Sequence, residues 1–351
     1  MFLLQTLGYI ALLALGFFLL IRGADWFVDG ASGIAKKLHV SELIIGLTIV
    51  AIGTSLPEFS VSLTDALGTG SESGQISIAN AVGSNLTNIL LILGVTSILA
   101  PIAVKKSSYA IELPFLLAVS ALLVLLGSFN NQVSRMDGLL LFLLMVLFIV
   151  YTVLMAKKHP EYAAEEETAD EESRWKIVRA VQQKLQPVQD KLWFLIVTTI
   201  VGAGVVVGGS QLAVFSAKEL ARSFGVHERV IGLTIVALGT SLPELITNIT
   251  AAKKGKTDLA IGNIIGSNIF NILMVVGVSA IFKPIAFEMS FVYDGILSVF
   301  ATLLLFLFSV GKRHRLGRTF GVVALVLFTA YYFYIFALEF GLFTLPASLC
   351  L

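Results

Sequence analysis

The chain has 351 residues, of which 57% are hydrophobic and only 13% charged, with a mean hydropathy of +0.91 and a formal net charge of +1. Soluble domains carry roughly 45–50% apolar and about 25% charged residues, so this composition belongs in a bilayer. It excludes a soluble enzyme, a nucleic-acid binder and a disordered chain; the near-zero net charge offers no surface for a polyanion, and the single cysteine, Cys350, leaves no intrachain disulfide.

A membrane-crossing helix takes about 20 mostly apolar residues. On that rule the chain predicts ten spans, at 2–27, 43–67, 76–100, 109–128, 138–156, 192–216, 230–252, 259–282, 291–310 and 319–342. The first reads as a span and not as a cleavable signal, because it lacks a basic leading region and a small-residue cleavage site. Residues 157–191 differ in kind: they hold 15 of the 47 charged side chains, with an acidic run from Glu165 to Glu172. The expected organisation is therefore 1–156 with five spans, a cytoplasmic linker at 157–191, and 192–351 with five more. The acidic run reads as a solvated linker. The stretch 174–192 places Val178, Val181, Leu185, Val188 and Leu192 opposite Arg174, Lys176, Arg179, Lys184 and Lys191. That is the pattern of a basic amphipathic helix on the inner membrane surface, shortened or kinked by Pro187.

Lys and Arg stay in short cytoplasmic loops. With the N-terminus outside, eighteen fall inside and five outside, Arg22 lying within the first span. Both termini are expected outside a cell (plasma or inner) membrane. The two halves also repeat each other. Residues 44–58, IIGLTIVAIGTSLPE, match residues 230–244, VIGLTIVALGTSLPE, at 13 of 15 positions, and residues 76–90 match 259–273 at 8 of 15. Five spans per half is an odd number, so the second copy inserts upside down. An inverted repeat with interrupted helices is the architecture of secondary transporters, with the site near the midplane.

Each Gly-Thr-Ser-Leu-Pro-Glu segment carries a proline inside a span. Pro57 removes the hydrogen bond to the carbonyl of Gly53 and disturbs that of Ile52, and Pro243 does the same to Gly239. Freed carbonyls at membrane depth are tolerable only where they line a polar cavity. Thr54, Ser55, Thr240 and Ser241 add hydroxyls, and Glu58 and Glu244 add carboxylates, whose burial in a span costs about 2.5 kcal/mol or more and so marks function. In the third and eighth spans, Asn80, Ser84 and Asn88, and likewise Asn263, Ser267 and Asn271, recur every four residues and share a face. The serines also suit close helix packing, and the asparagines suit interhelical hydrogen bonds. The four histidines all fall in loops, so the pocket is all oxygen with two carboxylates, which fits a hard cation such as Ca²⁺ and not a transition metal. Asp25 reads as a cytoplasmic boundary residue, Asp65 as a solvated outer helix end, and Glu112 as a shallow, hydrated residue of the fourth span.

The doubled GTSLPE and G-S-N-x-x-N-I segments resemble the two alpha-repeats of the Ca²⁺/cation antiporter superfamily, and most of all the prokaryotic sodium/calcium exchangers. The resemblance runs over almost the whole chain. It implies an all-α polytopic membrane protein of ten transmembrane helices in two inverted five-helix repeats, with helices 2 and 7 broken. Helices 2, 3, 7 and 8 would surround the ions, and helices 1 and 6 would slide across them. The implied ion ligands are Glu58, Glu244, Thr54, Ser55, Thr240, Ser241, the carbonyls of Ala51 and Ala237, and Ser84, Asn88, Ser267 and Asn271. Some relatives, the potassium-dependent ones among them, carry an aspartate where this chain has Asn271, so the site here holds two formal negatives. The proton-coupled branch typically shows Gly-Asn-x-x-Glu at the breaks, and the segment here favours sodium. The implied function is Ca²⁺/Na⁺ antiport by alternating access, exporting Ca²⁺, with Ca²⁺/H⁺ antiport or a cation channel as alternatives. The expected partners are calcium and sodium ions and the bilayer. No cofactor, protein partner or nucleophile–base pair of an enzyme is legible.

Overall fold

The structure is a computed structural model that describes residues 2–67, 75–158, 191–224, 237–311 and 314–339. The linker, with its acidic run and amphipathic stretch, lies outside the described residues, as does the first half of the seventh span. Eight helices among the described residues are long and apolar enough to cross a membrane, and a bent pair makes a ninth span. The part of the seventh span that is described comprises the helical turn Ala237–Gly239 and the helix Leu242–Lys253.

Spans 1 and 6 run longer than their apolar cores suggest. Span 1 is one helix, Phe2–Leu38, and span 6 is Leu192–Ser223. At 1.5 Å per residue span 1 is about 55 Å long, well beyond a hydrocarbon core of about 30 Å. Nothing after Asp29 breaks it: Gly, Ala, Ser and Ile carry the helix on to Lys36 and Lys37, and it stops at His39 with φ 55°. The two long helices lie antiparallel. Gly16 faces Ala213, Gly23 faces Val206 and Gly30 faces Thr199, so that a Cβ on Gly23 would come within 2.7 Å of the Val206 nitrogen. Small residues at seven-residue spacing let the backbones touch, where lipid supplies no hydrophobic drive for helices to associate.

The largest apolar core draws on spans 2, 3, 4, 5, 8, 9 and 10, whereas the buried apolar residues of spans 1 and 6 belong to two smaller clusters, one of which joins span 1 to spans 2, 7 and 8 through Ile45, Val50, Ala251 and Leu259. Spans 3 (Ile76–Leu99) and 8 (Thr257–Phe282) are its axis: 72% and 83% of their most apolar stretches are buried, against 22% in spans 1, 6 and 10. Span 8 lies directly on span 2, where a Cβ on Gly262 would sit 2.5 Å from the carbonyl oxygen of Leu43.

Two short antiparallel strand pairs express the inversion. Ile102–Ala103, after span 3, pairs with Arg315–Leu316, before span 10; Gln132–Val133, before span 5, pairs with Ile285–Ala286, after span 8. Each strand of one pair has its repeat equivalent in the other, and the pairs cap opposite ends of the bundle. At one end Lys254 bridges Asp25 (3.1 Å) and Asp29 (2.8 Å), Lys256 pairs with Glu42 (3.0 Å) and Lys105 with Asp258 (2.7 Å). Asp25 therefore sits at the lysine-rich end. Glu112, expected to be hydrated, is instead only 5% exposed, because the wider turn Ser108–Glu112 rotates it inward to the wall of a cavity of about 230 Å³ shared with Ser41, Lys105 and Tyr151.

Close backbone contact makes Gly262 intolerant of a methyl group. Gly262→Ala is expected to destabilise the protein by about 1–3 kcal/mol through overpacking, read as a lower thermal midpoint in detergent. Gly83→Ala, where a Cβ meets nothing within 4 Å, is expected to leave the midpoint unchanged.

Candidate functional site

Span 2 is built in four pieces: Glu42–Ile45, a wider π turn at Gly46–Val50, Ala51–Thr54, and Leu56–Ala66 with Pro57 in its first turn. The axis bends by 49° at Ser55. Ser241 plays the same part in span 7, with Pro243 opening the helix that follows. In each case the proline, which cannot donate to the turn before it, sits where a helix start needs no donor. Glu58 and Glu244 lie in the first turn of the helix that starts after each break.

The carboxylates are the centre of the site. Glu58 and Glu244 have no exposed surface. Each is met by hydroxyls of the opposite repeat: the Ser55 Oγ donates to Glu244 Oε1 at 3.2 Å, and the Thr240 hydroxyl engages Glu58, which also accepts from Ser84 Oγ at 3.5 Å. Thr54 Oγ1 lies 3.1 Å from both Val50 O and Asn263 Oδ1, and 3.4 Å from Ala51 O and Ser267 Oγ. A threonine has one proton to give, so this cluster holds more oxygen lone pairs than donors. Ser267 Oγ lies 3.5 Å from Ala51 O, which brings that carbonyl into the group. Ala237 opens the described part of span 7.

Spans 3 and 8 meet across a pseudo-twofold axis of asparagines. Asn88 Nδ2 donates to Asn268 Oδ1 (2.8 Å) and Asn271 Nδ2 to Asn85 Oδ1 (3.1 Å), while Asn85 Nδ2 donates to the backbone oxygen of Asn268 (3.2 Å) and Asn268 Nδ2 to that of Asn85 (3.4 Å). These bonds fix the amide orientations and leave the Oδ1 of Asn88 and of Asn271 without a partner. Both residues lie at the start of a π-helical stretch, Thr87–Ile92 and Asn271–Val276, where the helical ladder widens. Such bulges recur at functional sites.

Glu58 Oε2, Glu244 Oε2, Asn88 Oδ1, Asn271 Oδ1 and Ser241 Oγ are all buried without a hydrogen-bond partner. Buried polar atoms are almost always paired, and each unpaired one costs about 1–3 kcal/mol. Every atom in this group is an oxygen, four of the five being pure acceptors.

Of the residues singled out from the sequence, Thr54, Ser55, Glu58, Ser84, Asn88, Thr240, Ser241, Glu244, Ser267 and Asn271 gather in this core. Asn80 turns aside, its Nδ2 lying 3.0 Å from the Glu58 carbonyl oxygen and 3.1 Å from Ser62 Oγ, and Asn263 donates to Asn248 Oδ1 at 2.9 Å. Sequence reasoning passed over Asn85 and Asn268, which hold the two central helices together. Their signal is the asparagine of the G-S-N triplet itself, present in both repeats. Among the described residues no three His, Cys, Asp or Glu side chains cluster as a transition-metal site would require.

The family model described as sodium/calcium exchanger protein matches residues 8–154 and again 194–337. The inner membrane protein YrbG of Escherichia coli K12 is 39% identical over 276 residues, 78% of this chain and 80% of its own length. The sodium/calcium exchanger MaX1 of Methanosarcina acetivorans is 32% identical over 347 residues, 93% of this chain and 97% of its own. Among solved structures, the sodium-calcium exchanger NCX_Mj soaked with 10 mM Na⁺ and zero Ca²⁺ superposes with a TM-score of 0.75 at 33% identity, covering 97% of this chain and 99% of that one.

The asparagine pair is expected to carry measurable coupling. Asn88→Ala and Asn268→Ala should each destabilise the fold by about 1–3 kcal/mol by orphaning a buried partner. In the double mutant the loss should fall short of the sum, since Asn88→Ala removes the Nδ2 that Asn268→Ala already leaves unpaired. Thermal unfolding of the four proteins in one detergent measures it.

Proposed function

The chain belongs to the sodium/calcium exchanger protein family, and on that premise we propose that it exchanges Ca²⁺ for Na⁺ across a cell membrane by alternating access, exporting Ca²⁺. The carrying observation is the group of partnerless acceptor oxygens on Glu58, Glu244, Asn88 and Asn271. The proposed ligands are the side chains of Thr54, Ser55, Glu58, Ser84, Asn88, Thr240, Ser241, Glu244, Ser267 and Asn271, with the carbonyls of Ala51 and Ala237. Ca²⁺ takes about 6–8 oxygens in flexible geometry, which a ring of carboxylate, amide, hydroxyl and carbonyl oxygens supplies. Its two charges neutralise the two carboxylates. Sodium ions entering the same oxygens exclude it, and that competition is what couples the two fluxes. The pair of spans 1 and 6, in backbone contact through Gly16, Gly23 and Gly30, is the proposed moving body, exposing the pocket to each side in turn. In this reading the end that carries Lys105, Lys254 and Lys256 is cytoplasmic, in keeping with the bias of Lys and Arg, and both termini lie outside. The chain divides functionally into the repeats 1–156 and 192–351 and the linker 157–191.

Reconstitution in proteoliposomes tests the exchange. Calcium-45 uptake should follow an imposed sodium gradient and should not follow a pH gradient alone; the reverse result would establish proton coupling, and conductance without exchange would establish a channel. Glu58→Gln and Glu244→Gln, nearly isosteric, should each lower calcium exchange by at least about tenfold, since each removes one of two charges facing a divalent ion. Retained flux at normal expression would remove that residue from the site.

Asn271→Asp tests the charge count. A third carboxylate against the ions, in surroundings far less polar than water, should tighten Ca²⁺ binding by about tenfold or more and slow turnover. Equilibrium binding and exchange, each with and without potassium at fixed ionic strength, would show whether that charge also confers a potassium response.

A further inference from the structure

The repeats match residue for residue through the carboxylates and then diverge one turn beyond. Glu58 is followed by Val61 and Ser62, whereas Glu244 is followed by Thr247 and Asn248. Because the repeats are inverted, Ser62 leads away from the lysine-rich end and Asn248 leads toward it. On the Ser62 side the polar groups satisfy one another: Ser77 Oγ donates to Ser62 O at 3.0 Å, and Asn80 Nδ2 reaches both Glu58 O and Ser62 Oγ.

The Asn248 side is not satisfied in this way. Thr247 and Asn248 are 1% and 0% exposed, yet Thr247 Oγ1 and Asn248 Nδ2 have no partner. Asn263 Oδ1 faces the hydroxyls of Thr54 (3.1 Å) and Ser267 (3.4 Å), and Asn263 Nδ2 donates to Asn248 Oδ1 at 2.9 Å, with the Asn248 NH₂ an unused donor. Further along, Ala251 packs in a buried apolar cluster with Phe27, Ala31, Ile45, Val50 and Leu259, and Lys254 closes the end against Asp25 and Asp29. The first repeat has Asp65 where the second has Ala251.

A hydroxyl oxygen and an amide donor, unpaired on consecutive residues three and four positions beyond Glu244 on one helix, match a cation that still holds part of its water shell. We propose that Thr247 and Asn248 form a hydration station on the lysine-end half of the ion path, where Thr247 Oγ1 ligates the partly dehydrated cation and Asn248 Nδ2 donates to a water that travels with it. From there the ion passes to Glu244. The station eases the loss of water on one side of the membrane only, because the first repeat has valine and serine in its place. This inference rests on the assignment of Glu58 and Glu244 to the ion site.

The test is the half-saturating Ca²⁺ concentration for calcium-45/sodium exchange, measured separately at each face in right-side-out and everted vesicles of full-length protein. The lysine-rich face is located by labelling a Lys37→Cys variant, in a Cys350→Ser background, with a membrane-impermeant maleimide. Thr247→Val, isosteric but without the oxygen, should raise the half-saturating concentration at the lysine-rich face by about tenfold and leave the opposite face within about twofold. Thr247→Ser, which keeps the oxygen, should behave as wild type at both faces. Asn248→Ser, which restores the first repeat's residue, should shift the same face by about threefold, the worth of a water-mediated contact. An unshifted lysine-rich face, or equal shifts at both faces, overturns the proposal; if Thr247→Val does not reach the membrane, Asn248→Ser is judged by the same criterion. Absence of exchange in the wild type would overturn the exchange reading itself, whereas normal wild-type exchange with unshifted variants removes only the station.

Discussion

Two carboxylates without exposed surface, one from each repeat, face one another inside a protein whose outer surface is lipid-facing leucine, valine, isoleucine and phenylalanine. Isolated charges cannot be buried at that depth: the Born cost is tens of kcal/mol, and the hydroxyls of Ser55, Ser84 and Thr240 offset only a small part of it. The rest requires a bound proton or another cation, and among the described residues the ion-paired Lys105, Lys254 and Lys256 are held at one end by Asp25, Asp29, Glu42 and Asp258. On the proposed reading a transported cation meets that need. The broken helices at Ser55 and Ser241, the prolines that hold the breaks and the widened turns at Asn88 and Asn271 all serve to turn oxygens toward that place.

The same constraint bears on how the spans pack. On the proposed reading a cation held by oxygens from both repeats needs a cage of fixed size, and the asparagine ladder between spans 3 and 8 joins the two repeats with four hydrogen bonds at the pseudo-twofold axis. Access, by contrast, needs something that moves. Spans 1 and 6 touch each other along nearly their whole length through glycine contacts, and their apolar clusters are distinct from the main core. Toward the lysine-rich end span 1 shares a buried apolar cluster with spans 2, 7 and 8, in which Phe27, Ala31 and Ile34 join Ile45, Val50, Ala251 and Leu259. Lys254 adds ion pairs to Asp25 and Asp29, with side chains that keep partial contact with solvent; pairs of that kind are weak, of order 0–1 kcal/mol. Sliding of spans 1 and 6 has to part that apolar contact as well as the ion pairs.

Much of this was legible in the amino-acid sequence, because membrane insertion leaves so few options. Hydropathy gave span limits that agree to within about three residues for spans 2, 3, 4, 5, 8, 9 and 10, and the doubled GTSLPE segment located the breaks. What hydropathy does not encode is helix that outruns the bilayer. Spans 1 and 6 continue past their apolar cores because Gly, Ala, Ser, Lys and Glu are compatible with helix in water as well as in lipid. Glu112 was misjudged for a related reason: depth was inferred from position along the span, while burial was decided by a π turn that rotates the side chain inward. Asn85 and Asn268 escaped notice because four-residue spacing selects one helical face. They lie one position off that face, in the seam between the two central helices, where only the three-dimensional pairing reveals them.

A near-exact repeat builds a nearly symmetric cage, yet exchange between two different compartments benefits from asymmetry, and the sequence places that asymmetry outside the cage. The flanks differ where the repeats diverge. Phe59 stacks edge-on against Phe270 at 6.2 Å, whereas the equivalent positions in the other half are Leu245 and Thr87. Asp65 stands opposite Ala251, and Val61 opposite Thr247. One approach to the carboxylates is thus aromatic near the site with an acid further out, and the other is polar near the site with a lysine-clamped end. On the proposed reading, ion selectivity resides in the oxygens that both repeats share, and the rates of entry and exit at each face reside in the flanks, where the two repeats differ without altering the charge of Glu58 and Glu244.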